Sequence, residues 1–226
     1  MQHRLGFALS LIAAALLWGP TSASAQQEII DLGPGYAVEG SRVVDTHIST
    51  AGDSLTIVGH VIAFRNPFLD LDPNDPAKEY TYVYRGLVSQ GTTNLFNVIF
   101  TTNYSGGVLE IYCDTAQDAD FADKTTFMNG DMILSATLLN FTTVTKTSNV
   151  SGSQNADIAF TGGSLVNRLV GCTSAIITGA FSVYNGFVPA AQQAQGYFGF
   201  SDTKIDAQCP TPVDASSWGR IKLLHR

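Results

Sequence analysis

Two acidic clusters are the first candidates for chemistry in this chain. Asp70, Asp72, Asn74 and Asp75 lie in the run Asp70-Leu71-Asp72-Pro73-Asn74-Asp75-Pro76. Alternating Asp and Asn oxygens suit a hard cation such as calcium, which takes about 6–8 oxygen ligands. The spacing resembles the start of an EF-hand loop. Its sixth position, however, is Asp75 rather than glycine, and its twelfth is Thr81 rather than glutamate. Those departures remove the sharp turn and the bidentate ligand. A solvated loop accounts for the same residues, because Asx-Pro sequences form turns unaided. The second cluster is Asp114, Asp118, Asp120 and Asp123, directly after an apolar run. It suits a cation, or the capping of a short helix. Calcium is the cofactor these residues suggest, and clusters at one end of the fold could share one ion.

Catalytic patterns are scarce. A glycosidase needs two carboxyl groups across the scissile bond. Glu110 and Asp114 stand four apart, without two acids alternating on one strand face. A hydrolase triad needs Ser, His and a carboxylate, yet His47, His60 and His225 are the histidines after residue 25, and no G-x-S-x-G occurs. No His pair has zinc-site spacing. The expectation is a non-catalytic protein, with a polysaccharide-acting enzyme as the alternative. Tyr80, Tyr82 and Tyr84 alternate along one strand face. They suit a sugar-stacking or protein-binding patch, or packing across neighbouring strands. Cys113, Cys172 and Cys209 permit one bridge and one leftover thiol. Cys172 and Cys209 flank turn-like sequence, and their pairing is expected. Cys113 sits in an apolar strand pattern, as a buried small hydrophobe would.

The elements that carry these residues read as strands. Ser54–Phe64, Tyr80–Val88, Met132–Val144 and Ala175–Tyr184 are rich in β-branched and aromatic residues with period-two alternation. Ala51-Gly52-Asp53, Ser105-Gly106-Gly107, Asn129-Gly130-Asp131 and Asn185-Gly186 punctuate them as turns. Short helical pieces fit Asp118–Thr126 and Ser164–Val170. This pattern predicts an all-β, antiparallel β-sandwich, Ig-like or jelly-roll-like, with a short C-terminal helix or tail. Several strands are apolar on both faces, as central strands buried on both sides would be.

Both ends differ from this body. Residues 1–25 read as a signal peptide: Arg4, the 14-residue apolar run Leu5–Trp18, then Ala23-Ser24-Ala25. That run is shorter than the ~20 residues a spanning helix needs, and no later segment is long and apolar enough. Export predicts a secreted, extracellular or cell-envelope protein in which disulfides persist. Residues 26–209 form the expected β domain, and 210–226 a Pro-led basic tail with Trp218, Ile221 and Leu224 on one helical face. The whole chain has net charge −7; without Arg4 it is −8. That balance disfavours nucleic acid and leaves an extracellular protein or polysaccharide as partner. The sequons at Asn103, Asn140 and Asn149 match chance expectation.

The stretch Asp114–Asp123, with Phe127 and Asn129-Gly130, resembles exported bacterial surface β-proteins of the kind that often carry PEP-type C-terminal sorting signals. Ser151-Gly152-Ser153, Phe160-Thr161-Gly162-Gly163 and Gly196–Asp202 extend that similarity. The spanning helix of such signals is absent. The resemblance implies a cell-surface adhesion, matrix or ligand-binding module. A calcium-stabilised carbohydrate-binding module, using the acidic loops and the tyrosine face, is the second expectation.

Overall fold

A computed structural model describes residues 26–147, 152–172 and 174–209. The expected signal peptide, the tail 210–226 with its helix, and the sequon at Asn149 lie outside the described residues. Eight strands follow in order: β1 (Gln27–Glu39), β2 (Ser54–Phe64), β3 (Glu79–Leu95), β4 (Ile99–Asp114), β5 (Asp131–Lys146), β6 (Ser153–Gly162), β7 (Ala175–Ser182) and β8 (Gly199–Ala207). Each pairs antiparallel with the next. β1 also pairs with β8, from Gln27 opposite Ala207 to Ala37 opposite Gly199, so the sheet closes into a barrel.

The all-β, antiparallel expectation holds, whereas the sandwich gives way to an up-and-down barrel. The physical reason lies in the strands apolar on both faces. Their inner faces fill the barrel with Leu32, Ile57, Tyr82, Phe141, Phe181 and Ile205. Their outer faces on β1, β2, β3 and β8 are buried by two loops rather than by a second sheet. Loop 115–130 reaches over from one end with Phe121 and Phe127, and loop 183–198 from the other with Val188 and Tyr197. Both pack on Val58, Val83, Tyr36 and Phe200. Tyr197 Oη donates to Phe121 O at 3.0 Å and Thr81 Oγ1 to Phe127 O at 2.8 Å, which joins the loops to each other and to the wall.

The expected helical pieces appear as short 3-10 turns at Lys124–Met128 and Val166–Leu169, and one short helix, α1, covers Ala190–Ala194. The first turn is capped by Asp123.

Inside, side chains reach across the barrel. Tyr82 Oη donates to Gly33 O at 2.9 Å, Tyr84 Oη lies 3.1 Å from Thr203 Oγ1, and Gln154 Nε2 donates to Ser201 Oγ at 2.7 Å. The Tyr82 ring fits because Gly35 and Gly59, paired across β1 and β2, leave room: a Cβ on Gly59 would meet the ring at 2.8 Å. An eight-stranded barrel is just wide enough to be filled in this way. The outer wall of β4 to β6 exposes Asn103, Ser105, Asn155, Asp157 and Thr161, opposite in polarity to the apolar band of a transmembrane barrel. Among the described residues no helix is long and apolar enough to cross a membrane.

Up-and-down order sorts the connections between two ends. Loops 65–78, 115–130 and 163–174 share one end; loops 40–53 and 183–198 and the β3–β4 turn share the other.

Candidate functional site

Both acidic clusters therefore sit at one end, where each carboxylate accepts at least one local hydrogen bond, while Asp114 Oδ2 is buried with no hydrogen-bond partner among the described residues. Arg168 donates from both terminal guanidinium nitrogens to Asp70, and this holds the Asp70 carboxyl below the usual carboxylate range. Asp72 accepts from the backbone of Asn74 at 2.9 Å and from its side chain at 3.3 Å. Asp75 accepts from Ala77 N at 3.0 Å. Asp114 accepts from Ala116 N at 2.9 Å, Asp120 from Ala122 N at 2.9 Å, and Asp118 from Asn129 Nδ2 at 2.9 Å. Asp123 accepts from Thr125 N at 3.0 Å and from its hydroxyl at 2.7 Å. The contacts of Asp72, Asp75, Asp114, Asp120 and Asp123 are Asx turns and a cap, an ordinary structural use of Asp, whereas Asp70 is ion-paired with Arg168 and Asp118 bonds across its loop to Asn129. Gln117 Nε2 donates to Pro76 O at 2.6 Å and ties the loops. Among the described residues no three His, Cys, Asp or Glu converge as a metal group.

The tyrosine stripe faces inward. Tyr82 and Tyr84 have no exposed surface, and Tyr80 is buried beside them. Burial, then Cys113, pushes Tyr80 up to about 12. These rings pack across the barrel and form no outer platform. Cys172 and Cys209 are disulfide-bonded as expected, while Cys113 is free and partly buried against the core. Glu110 is on the outer wall. It accepts from Arg85 Nε and Nη2 at 2.7 Å each and from Tyr112 Oη at 2.9 Å. The Arg85 hydrogen bonds hold its pKa down, the reverse of what a general acid needs. His60 Nε2 lies 3.1 Å from Glu79 Oε1, with its ring edge-on to Phe127 at 5.4 Å.

The opposite end, the mouth, carries a polar constellation that sequence reasoning missed. Glu39 ends β1 with no exposed surface. It accepts from Arg42 Nη1 at 2.6 Å and from Ser49 Oγ at 2.6 Å. Arg42 also donates from Nε to Thr46 O and from Nη2 to His47 O, both at 3.0 Å, and its guanidinium lies 4.3 Å from the centroid of the Phe198 ring. Ser49 Oγ is 2.6 Å from Ser89 Oγ, and its backbone N donates to Thr92 Oγ1 at 2.8 Å. Loop 40–53 is thus pinned into the barrel end by a buried ion pair that uses all three guanidinium nitrogens. The available signal was phase: Glu39 stands two residues after the inward Ala37, where a charge demands a buried partner.

Beside this pinned loop opens a cavity of about 390 Å³, lined by Asp45, His47, Thr145, Lys146, Phe181 and Tyr184 among others. His47 Nδ1 lies 2.9 Å from Thr145 Oγ1, and its ring stacks on Phe100 at 4.8 Å. Burial, and then the Arg42 charge, lower the His47 pKa, which favours neutral imidazole at neutral pH. Asp45 is held by its own N–H to Val183 O at 2.6 Å and by Asn185 N donating to Oδ1 at 3.1 Å. Lys146 ends β5, and Ser182 and Val183 lie at the end of β7, so β6 separates the two walls. The arrangement offers an ammonium, a carboxylate, hydroxyls and an aromatic ring around one space. No family model, curated protein or solved structure matches this chain, so its own geometry carries the assignment.

Proposed function

We propose that this is an exported, non-catalytic binding protein that takes a small polar ligand in the mouth between loops 40–53 and 183–198. One observation carries the proposal: a cavity of about 390 Å³ at a barrel mouth, combining Lys146, Asp45, His47 and Tyr184. Small-molecule sites fall in the range of about 300–1,000 Å³, favour barrel mouths and use a few convergent polar groups. The buried Glu39–Arg42 pair supports the reading, since a pinned loop presents His47 and Asp45 in a fixed geometry. Export rests on the signal-peptide pattern of residues 1–25. The carboxylates of the opposite end have structural work there, and this reading gives them no cation. Because the tyrosine stripe is internal, a sugar-stacking role would pass to Tyr184.

The test is a fragment-library titration of isotope-labelled residues 26–226, followed by amide chemical shifts. Hits should perturb residues 45–47, 145–147 and 181–184. Lys146→Ala and Tyr184→Ala should weaken them. A library that leaves those residues unmoved would refute the mouth as a binding site.

A further inference from the structure

The mouth cavity is bordered by apolar side chains that stand in solvent. Phe96 is 86% exposed, Leu95 54% and Ile48 50%. Val98, Tyr184 and Phe187 are exposed beside them. They come from three separate segments that strand order brings to one end: the β3–β4 turn, loop 40–53 and loop 183–198. All three segments are continuous with the cavity. Thr147, in its wall, donates from its backbone to Val98 O at 3.0 Å and from its hydroxyl to Asn97 O at 3.3 Å. Loop 40–53 contributes Asp45 and His47 to the cavity, while Ile48 lines a separate, smaller depression with Arg42 and Val43. Tyr184 lines the cavity, and its ring centroid is 6.1 Å from that of Phe187.

The β3–β4 turn has Phe96 at φ +53° and Asn97 at φ +55°. Glycine, asparagine and aspartate suit such tight left-handed turns. Phenylalanine at the first position is disfavoured both by its backbone and by its exposure, so folding gives no reason for the ring. Charge is sparse here. Residues 183–198 contain no Asp, Glu, Lys or Arg. Lys146 and Asp45, of opposite sign, are the cavity's fully charged lining residues.

Resting on the mouth as the binding site, we infer that its ligand is a zwitterionic amphiphile. Lys146 faces the anionic part of the headgroup. Asp45 faces the cationic part, beside the Tyr184 ring, which favours a cation further. The hydrocarbon lies along Leu95, Phe96 and Val98. A wholly polar ligand would leave that rim in water, and a wholly apolar one would strip water from Lys146 and Asp45 without replacing it. An amphiphile satisfies both.

The test compares glycerophosphocholine, the headgroup alone, with octylphosphocholine below its micelle concentration, by titration calorimetry and amide shifts. The octyl compound should bind at least about tenfold more tightly, since each seated methylene contributes about fourfold. Phe96→Asn, which suits the turn, should remove most of that gain and leave glycerophosphocholine binding unchanged. Flotation with phosphatidylcholine vesicles would mark ligand met at a bilayer surface, whereas binding of the monomer without flotation would mark soluble carriage; both support the inference. Equal affinity for headgroup and amphiphile would overturn it while leaving the mouth site standing. So would a chain-length gain untouched by Phe96→Asn. Failure of both probes to bind would also overturn it, and the fragment titration would then decide the mouth site separately.

Discussion

Arg42→Ala is the sharpest perturbation of the pinned mouth. It leaves Glu39, which has no exposed surface, with Ser49 Oγ as its remaining side-chain donor. It also takes the side-chain donor from the carbonyls of Thr46 and His47. Breaking one side of a buried ion pair costs about 3–5 kcal/mol, because the other charge stays buried without compensation. For a chain of this size, 1 kcal/mol moves Tm by about 2–4 °C, so the melt should fall by about 6–20 °C. The double variant Glu39→Leu with Arg42→Met leaves no buried charge. It should recover much of the loss, since apolar replacement of a buried pair is often close to neutral. Urea denaturation of the wild type, Glu39→Leu, Arg42→Met and the double variant gives the coupling energy directly. Amide exchange across residues 40–53 should accelerate in Arg42→Ala. An Arg42→Ala loss below about 1 kcal/mol, or a double variant as destabilised as the summed singles, would show that the pair does not pin the loop.

Gly59→Ala should destabilise the barrel by about 1–3 kcal/mol through overpacking, because the new Cβ meets Gly35 Cα and the Tyr82 ring at 2.8 Å; a denaturation midpoint equal to wild type would contradict the packing described. Cys172→Ser opens a loop with a sequence separation of 37, which should cost up to about 4 kcal/mol through unfolded-chain entropy, read as a Tm drop that reducing agent reproduces in the wild type. His47 has a lowered folded-state pKa, so below its unfolded value of about 6.5 the unfolded chain binds more protons than the folded one. Stability should therefore fall as pH drops through about 6.5, level off below the folded pKa, and lose this slope in His47→Gln; a contribution from His47 that grows on acidification would refute the assignment.

Much of the architecture was legible in local pattern. Period-two runs mark β2, β3, β5 and β7, and the expected turns at Ala51–Asp53, Asn129–Asp131 and Asn185-Gly186 fall between strands, because side-chain alternation and turn geometry depend on near neighbours. Ser105-Gly106-Gly107, expected as a turn, instead lies inside β4, and the chain reverses at Phe96-Asn97. The Cys172–Cys209 pairing was legible too, from its flanking turns. The tyrosine stripe was recognised as one face, but alternation does not tell which face closes inward. The mouth was hardly legible. Glu39, Arg42 and Ser49 lie within eleven residues, yet their meaning depends on Ser89 and Phe198, which arrive from β3 and the end of loop 183–198.

What the sequence by itself determined was the kind of element, antiparallel β, and the two cysteines able to bridge. It also set the expectation of export, on residues outside the described part of the chain. Only the tertiary structure decided between sandwich and barrel, because that choice turns on Gln27 meeting Ala207, a pairing no local period encodes. Closure then set the rest. It turned Tyr82 and Tyr84 inward and held the acidic loops at one end. At the other it gathered Asp45, His47, Lys146 and Tyr184 around a single cavity. Period two specifies that a strand has two faces; which of them meets water depends on what the far end of the chain brings to cover it.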